Sequence, residues 1–217
     1  MQTRNEGKTI DYITRTFVQE PDFIARMRKE GEQRRPGMQV SPYEGSVLAW
    51  LVAMTGAKRI LEIGTFMGYS TLWMASALPD GGRIESLEFD EGYAHQANRN
   101  IHDAPCAKKI HIVHTEALPW LTSQPQKPTY DLVFIDADKR NYFNYLNAVL
   151  PLMNPRGTIV GDNTLLWGAL SGDAPDAAKD DAKLAMTQFN ETLADAARFD
   201  STLLTTPEGL TVARLKD

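Results

Sequence analysis

The chain has 217 residues, the length of one ordinary domain, and its net charge of −5 is not accompanied by any basic block. Nucleic acid is therefore disfavoured as a main partner, because phosphate binding needs a positive protein surface. The single cysteine, Cys106, excludes an internal disulfide, and the chain shows neither an apolar signal segment nor an apolar run near the ~20 residues of a membrane span. We expect a cytoplasmic protein with no membrane partner.

The first quarter of the chain predicts helices. Apolar residues three to four positions apart predict a helix up to Phe17, and Pro21 is expected in the first turn of a second helix. Residues 31–37 combine glycine, proline and charged residues, which predicts a loop. The sequence Ser41-Pro42-Tyr43-Glu44 predicts the start of a third helix that ends near Gly56, because serine can cap a helix and the glutamate completes a capping box.

From residue 59 onward, apolar strands alternate with helices. The predicted strands cover residues 60–63, 83–89, 109–115, 130–135 and 157–161, and the predicted helices between and after them cover residues 72–78, 90–101, 117–122, 142–149 and 178–197. Residues 201–205 and 210–215 flank Pro207-Glu208-Gly209, which predicts a closing hairpin. Several strands are apolar throughout, which indicates a parallel sheet covered on both faces, with ligands beyond the carboxyl ends of its strands.

The first strand leads into a glycine-rich turn. Glu62 lies near the end of the strand, Gly64 and Gly68 follow, and Ser70 begins a helix. This geometry lets the backbone approach a ligand closely and presents unpaired helix amides. The turn lacks the lysine and third glycine of phosphate-binding motifs, so a cationic nucleoside carrying an amino acid fits better than pyrophosphate, with Glu62 as its negative partner. A tight turn that binds nothing is the alternative interpretation.

Acids also follow the second and third strands. Glu88 ends the second strand at the distance from the glycine turn where a carboxylate commonly holds a ribose diol. Asp90 is the competing candidate, although it suits the cap of the next helix. At the end of the third strand, the backbone and small side chain of Ala117 are suited to contact an adenine.

Oxygen ligands follow the fourth and fifth strands. The fourth strand ends in Asp136-Ala137-Asp138-Lys139, and the fifth ends in Asp162-Asn163. Two carboxylates brought together repel each other, and a divalent cation relieves this repulsion. Oxygen donors select a hard ion, Mg²⁺ before Ca²⁺ or Mn²⁺, and three protein oxygens leave room for a bidentate substrate. In the alternative interpretation, these residues are helix caps and a surface ion pair.

At these residues the sequence resembles the cation-dependent class I O-methyltransferases, the family that includes caffeoyl-CoA and catechol O-methyltransferases. The matching motifs are L-E-I-G-T-x-x-G-Y-S-T (61–71), V-F-I-D-A-D-K (133–139) followed by Asn141-Tyr142, G-D-N-T (161–164) and L-L-T-T-P-E-G-L-T-V-A (203–213). The likeness extends from about Met38 to the C-terminus, whereas the N-terminal helices match only in pattern.

The resemblance implies one S-adenosylmethionine (SAM)-dependent domain over residues 1–217, with a Rossmann-like α/β fold. Its seven-stranded sheet would be mostly parallel, with helices on both faces and a C-terminal antiparallel hairpin. By position, the implied cofactor site is lined by Val40, Glu62, Gly64, Thr65, Ser70, Glu88, Ala117 and Asp136. The implied metal ligands are Asp136, Asp162 and Asn163, and Lys139 is the implied catalytic base. The family also implies a homodimer, with the N-terminal helices of residues 1–37 near the active site.

The implied reaction transfers a methyl group from SAM to a hydroxyl of a small aromatic vicinal diol of catechol or caffeoyl type. The diol would chelate Mg²⁺ through both oxygens while Lys139 takes the proton. One departure from the plant members is Thr164-Leu165-Leu166-Trp167-Gly168, which is one residue longer in the segment expected to wall the acceptor pocket. The acceptor's identity therefore stays open. Three alternatives remain: a metal-independent methyltransferase acting on nitrogen or a carboxylate, a nucleotide-binding protein such as a dehydrogenase, and a non-catalytic binding module.

Overall fold

A seven-stranded sheet of order β3-β2-β1-β4-β5-β7-β6 forms the centre of this computed structural model, which describes residues 6–206 and 208–217. The strands are β1 (Arg59–Ile63), β2 (Arg83–Glu88), β3 (Ile110–His114), β4 (Tyr130–Ile135), β5 (Met153–Asp162), β6 (Phe199–Leu204) and β7 (Leu210–Leu215). Strands β1 to β5 pair in parallel, and β7 runs antiparallel to both β5 and β6. The predicted Rossmann-like α/β fold with its antiparallel hairpin is confirmed; Pro207, in the predicted turn, lies outside the described residues.

Helices cover both faces of the sheet. Those of the described residues are α1 (Glu6–Phe17), α2 (Asp22–Arg34), α3 (Pro42–Thr55), α4 (Tyr69–Ala77), α5 (Glu91–Ile101), α6 (Ala117–Ser123), α7 (Tyr142–Val149) and α8 (Asp180–Leu193). Helices α2 to α5 pack on one face, and α6 to α8 pack on the other. In the part of the chain that the structure describes, no helix is both long and apolar enough to cross a membrane. The first five residues of the predicted N-terminal helical region lie outside that part.

The central strands are apolar throughout because both of their faces are covered. Along β1, Ile60 packs into the cluster beneath α2 to α5, whereas the next residue, Leu61, packs into the cluster beneath α6 to α8. In β4, Phe134 and Val133 divide between the same two clusters, and all four side chains are fully buried. This alternation follows from the two-residue period of a strand, and it explains why the apolar runs predicted a parallel sheet.

Two predicted helix starts are confirmed by their capping bonds. Ser41 Oγ accepts a hydrogen bond from the Glu44 backbone N–H at 3.2 Å, and Glu44 Oε2 accepts one from the Ser41 N–H at 2.9 Å. Helix α3 then ends at Gly56 in the left-handed conformation (φ 66°). At the start of α5, Asp90 Oδ1 accepts from the Tyr93 N–H at 2.9 Å, so Asp90 caps the helix.

Several predicted boundaries are wrong. The loop expected at residues 31–37 is helical as far as Arg34, and Gly31 is buried within that helix beside the end of the Gln39 side chain. Strand β5 begins at Met153 rather than residue 157, since it pairs with Tyr130 before a register irregularity. Helix α8 is shorter at both ends than the predicted span of 178–197.

Candidate active site

The turn between β1 and α4 is built around Gly64. This residue has a φ of 99°, and its N–H donates to the carbonyl of Leu87 at 3.0 Å. The N–H of Asp136 donates to the carbonyl of Ile63 at 2.9 Å, so the parallel pairing continues beyond the ends of the strands. A Cβ at Gly64 would lie 1.9 Å from the Asp136 carbonyl oxygen. Only glycine therefore allows the ends of β1, β2 and β4 to converge at this edge.

Glu62 is fully buried beneath this turn and accepts hydrogen bonds from three hydroxyls. Ser70 Oγ donates to Oε1, and Thr71 Oγ1 and Ser86 Oγ donate to Oε2, each at 2.5 Å. Because Ser86 gives its proton to Glu62, Thr65 Oγ1 donates to Ser86 Oγ at 2.5 Å. Burial raises the pKa of Glu62 to about 7, although the three hydroxyl bonds oppose that rise. Glu62 thus fixes the start of α4 from below.

Glu88, the last residue of β2, binds the backbone of both the β1–α4 turn and the β2–α5 turn. Its Oε2 accepts from the N–H groups of Thr65 at 3.2 Å and Phe66 at 2.7 Å, and its Oε1 accepts from the Asp90 N–H at 2.9 Å. An ionised carboxylate has about four lone-pair sites, so one remains for a further donor. The carboxylate expected to hold a ribose diol therefore also shapes the glycine turn.

The other two residues of the predicted cofactor site flank this edge. Val40 is buried immediately before the cap of α3, and Ala117 is the first residue of α6, after β3. Glu44, in the first turn of α3, lies close enough to Asp162 and Glu208 to raise the pKa of both. The start of α3 therefore lies at the same edge as the end of β5.

Asp136 and Asp162 are brought together, as predicted. Ile135 of β4 pairs with Gly161 of β5, so the next residue on each strand is one of the two acids. The pKa of Asp162 is raised well above its usual value, first by burial and then by the carboxylates of Asp136 and Glu44. The ammonium of Lys139 acts in the opposite direction. Acidic groups therefore converge where the two strands end, and their mutual repulsion disfavours ionisation of Asp162.

Asn163 is held by two hydrogen bonds. Its backbone N–H donates to Asp162 Oδ1 at 2.8 Å, its φ is 54°, and its side-chain Nδ2 donates to Glu208 Oε2. The Trp167 side chain lies close enough to Glu208 to lower the pKa of its carboxyl, against the rise caused by burial. From the sequence, Glu208 was predicted only as part of the closing hairpin, and Glu44 only as part of a capping box. No local pattern indicates that Glu208 meets Asn163 or that Glu44 approaches Asp162, because both relationships depend on tertiary structure.

Lys139 lies between an acid and a tyrosine. Its Nζ donates to Asp136 Oδ1 at 3.0 Å and to the Tyr142 hydroxyl at 2.8 Å, and it stands 4.7 Å from the centre of the Tyr142 ring. The buried Tyr142 hydroxyl in turn lies 3.0 Å from the Ile135 carbonyl and 2.8 Å from the Asp162 carbonyl. Burial, and then the charges of Asp136 and Asp162, raise the pKa of Tyr142, so its hydroxyl stays protonated. From the sequence, Tyr142 was predicted as a helix residue and not as a support for Lys139.

Comparison with known proteins decides the family. The family model described as O-methyltransferase matches residues 14–216. The chain belongs to the O-methyltransferase family.

Two curated relatives and one solved structure illustrate the relationship. The catechol O-methyltransferase of Niastella koreensis is 36% identical over 198 residues, which cover 89% of this chain and 87% of that protein. The caffeoyl-CoA O-methyltransferase of Populus kitakamiensis is 33% identical over 212 residues, covering 94% and 90%. The structure of the O-methyltransferase TomG from Streptomyces achromogenes in complex with SAM matches with a TM-score of 0.85 at 30% identity, covering 100% of both chains. This O-methyltransferase is a SAM-dependent enzyme.

The acids and amide at the ends of β4 and β5 are the residues of this O-methyltransferase that could hold a divalent ion. Among residues 6–206 and 208–217, no group of three or more His, Cys, Asp or Glu side chains could hold a metal. The candidate set is therefore two carboxylates and one amide, Asp136, Asp162 and Asn163. All three offer oxygen, which suits Mg²⁺ chemically, and the repulsion that raises the Asp162 pKa is what a cation would relieve. The donor set fits such an ion. Lys139 Nζ donates a hydrogen bond to Asp136 Oδ1, so the Asp136 carboxylate would contact both the ion and Lys139.

Proposed function

We propose that this O-methyltransferase methylates a hydroxyl of a small aromatic vicinal diol, of catechol or caffeoyl type, in a reaction that depends on Mg²⁺, with Ca²⁺ or Mn²⁺ as possible substitutes. One observation carries the proposal: Asp136 and Asp162 end neighbouring strands in register, with Asn163 and Lys139 bonded directly to them. The names of the catechol and caffeoyl-CoA relatives support the substrate class.

The proposed cofactor site is the β1–α4 turn. The first-turn amides of α4 would hold an anionic group of SAM, because they have no partner within the helix. Ser70 gives its proton to Glu62, so its hydroxyl would meet the cofactor as an acceptor. Glu88 would use its remaining lone pair on a ribose hydroxyl. Gly64 and Thr65 would let the backbone approach, with Val40 and Ala117 at the two sides.

The proposed metal ligands are the side-chain oxygens of Asp136, Asp162 and Asn163. When bound, the divalent ion supplies Lewis-acid polarisation that lowers the pKa of an acceptor hydroxyl. Lys139 is proposed as the base: once its ammonium has released a proton to solvent, the neutral amine at Nζ receives the hydroxyl proton. The bonds from Lys139 to Asp136 and Tyr142 fix that nitrogen at the edge where the acceptor would lie. Positioning supplies much of the remaining rate, because methyl transfer is an in-line displacement.

The N-terminal helices are proposed to cap the site. The hydroxyl of Tyr69, at the start of α4, donates to Glu20 Oε1 at 2.5 Å, which attaches the α1–α2 connection to the cofactor turn. A second copy of this chain is the proposed partner of the outer face of α3, where Trp50 and Met54 lie one turn apart and are 58% and 65% exposed. Sedimentation of the wild type against a Trp50→Glu variant tests this, and a monomeric wild type would refute the homodimer.

No nucleic acid or membrane partner is proposed, because the net charge is −5 without a basic block. We also propose a cytoplasmic location, with which the free, buried thiol of Cys106 is compatible.

The deciding experiment is a panel of vicinal-diol acceptors with SAM, read out by mass spectrometry with Mg²⁺ and with excess chelator. We expect one added methyl group with Mg²⁺ and almost none with chelator, and no product from the matching monophenols. Asp136→Ala should behave like the chelated wild type. Full activity in chelator, on a nitrogen or carboxylate acceptor, would replace this proposal with a metal-independent methyltransferase.

A further inference from the structure

We infer that Glu208 is a positioning residue that fixes the orientation of the Asn163 amide beside Trp167, in the wall of the acceptor site. This inference rests on the proposed function, since it concerns the residues proposed to hold the metal ion and the acceptor. Glu208 lies in the β6–β7 connection. No residue of that connection is among those proposed above to bind the metal ion or the cofactor or to act as the base.

Glu208 stands at a fixed place relative to the end of β5. The N–H of Thr164 donates to the Gly209 carbonyl at 3.0 Å, and the N–H of Leu165 donates to the Glu208 carbonyl at 2.9 Å. Gly209 has a φ of 81°, and a Cβ there would lie 2.6 Å from Leu165 Cγ and 2.9 Å from the Leu165 nitrogen. The connection is therefore hydrogen-bonded directly to the segment that follows Asn163. These backbone bonds place the Glu208 carboxylate next to the Asn163 side chain.

The chemistry of an amide makes this bond decisive. Asn163 has one end that donates, Nδ2, and one end that accepts, Oδ1, and only the oxygen can bind a cation. Glu208 Oε2 accepts from Nδ2, so the bond fixes which end of the amide is used for protein contact. Rotation by half a turn would place Oδ1 against the carboxylate, where two acceptors repel. Glu208 thereby reserves the Asn163 oxygen for a ligand.

Glu208 also lies beside the neighbouring wall, where the Trp167 side chain is close enough to lower the pKa of its carboxyl. Leu166 and Trp167 both adopt left-handed backbone angles, with φ of 51° and 53°, and Gly168 follows at 88°. Such conformations cost energy for residues other than glycine, so the surrounding contacts must maintain them. The Glu208 carbonyl supplies one such contact, because it accepts from the Leu165 N–H at 2.9 Å. Glu208 therefore contacts both the wall segment and the Asn163 amide.

Three variants of the full chain separate this role from others. Glu208→Gln keeps an acceptor oxygen, Glu208→Ala removes it, and Glu191→Gln removes an exposed glutamate of α8 as the matched control. Mg²⁺ binding is measured by calorimetry with S-adenosylhomocysteine at saturation. The affinity of the same variants for S-adenosylhomocysteine without metal and their unfolding in urea are measured in parallel.

We expect Mg²⁺ affinity to fall roughly 10–100-fold in Glu208→Ala, the usual effect of losing the residue that orients a metal ligand. Glu208→Gln should stay within about fivefold of wild type, because its oxygen still accepts from Asn163 and only the charge is lost. Affinity for S-adenosylhomocysteine should be unchanged in all variants. For the diol, Glu208→Ala should raise KM as well as lower kcat, because the Trp167 contact is lost too.

Equal Mg²⁺ affinity in Glu208→Ala and wild type would overturn the inference. So would an equal loss in the Gln and Ala variants, which would make Glu208 a charged participant rather than an orienting acceptor. If Glu208→Ala does not fold, Glu208→Met, of similar length and without an acceptor oxygen, gives the same comparison. A wild type that binds S-adenosylhomocysteine but not Mg²⁺ would contradict the metal proposal and this inference together. Weakened Mg²⁺ binding in Glu208→Gln, with wild-type Mg²⁺ affinity in Glu208→Ala, would contradict the inference alone.

Discussion

Gly64 and Asp136 are in backbone contact: the carbonyl oxygen of Asp136 occupies the place where a side chain at residue 64 would begin, 1.9 Å from an ideal Cβ. The glycine turn proposed for the cofactor and the acid proposed for the metal therefore meet directly. Each can hold its position only if the other does. A change at Gly64 should disturb both proposed sites before it disturbs any other part of the sheet.

Gly64→Ala should destabilise the protein by roughly 3 kcal/mol or more, because it adds a backbone clash to an unfavourable positive φ. Gly81→Ala is the matched control, since Gly81 also has a positive φ, 76°, but has nothing within 4 Å of an added Cβ. That variant should lose only about 1 kcal/mol. Urea unfolding of both measures the difference, and equal losses would show that the turn can relax away from Asp136.

Glu62 should make stability depend on pH. Because burial raises its folded pKa from 4.5 to about 7, the folded protein holds this proton more tightly than the unfolded chain does between those pH values. Stability should therefore fall as the pH rises through this window, by on the order of 3 kcal/mol. Glu62→Gln cannot ionise, so its stability should lack this decline.

The measurement for Glu62 is urea unfolding of wild type and Glu62→Gln across that pH window, analysed as the difference between the two proteins. Other buried acids, such as Asp162, contribute equally to both and cancel in the difference. A difference that does not change with pH would mean that the three hydroxyls keep Glu62 ionised at ordinary pKa values.

Tyr142→Phe should lower turnover while leaving the affinity for S-adenosylhomocysteine unchanged. The hydroxyl is a contact of Lys139 Nζ at 2.8 Å, and its loss frees the proposed base to move. We expect a loss of roughly tenfold or more in kcat and about 1–3 kcal/mol of stability. Tyr145→Phe is the control: it removes a hydroxyl bonded to Asp138 at 2.6 Å, one turn along the same helix. Equal turnover in the two variants would contradict the role of Tyr142.

Tyr69→Phe should loosen the N-terminal helices. The Tyr69 hydroxyl donates to Glu20, which also receives two groups of the Arg28 guanidinium at 2.9–3.1 Å. Removing the hydroxyl should cost about 1–2 kcal/mol and raise the rate of amide hydrogen exchange in α2. The exposed Tyr12→Phe variant should exchange like wild type. Unchanged exchange in Tyr69→Phe would show that packing alone holds these helices.

The sheet was largely predictable from sequence because each central strand is a short apolar run that can be recognised from the local sequence alone. Strand β4 agrees with its prediction at both ends, since an apolar run is bounded by polar residues on each side. The end of α2 was not predictable, because Gly31 is buried in the helix beside Gln39, a contact with another segment that the local pattern does not show. The residues at strand ends were found because parallel strands deliver their carboxyl ends to one edge.

What the sequence could not supply was the surroundings of those residues. Glu62 looked like a ligand-facing acid, but hydroxyls from α4 and β2 enclose it. Glu208 gave no signal, because its approach to Asn163 exists only when β7 inserts between β5 and β6. Local patterns encode which face of an element is apolar, whereas such encounters depend on the order of the strands.

The direction of β7 has a practical consequence for handling the protein. Leu210 lies beside Asp162, whereas Leu215 lies beside Phe199 at the far end of the sheet, so the strand carries the chain away from the candidate site. Asp217 is held there by the guanidinium of Arg156 at 2.6 Å. An affinity tag fused after Asp217 would therefore emerge at the opposite rim, and a resin or sensor chip that captures it would leave the candidate site facing the solution.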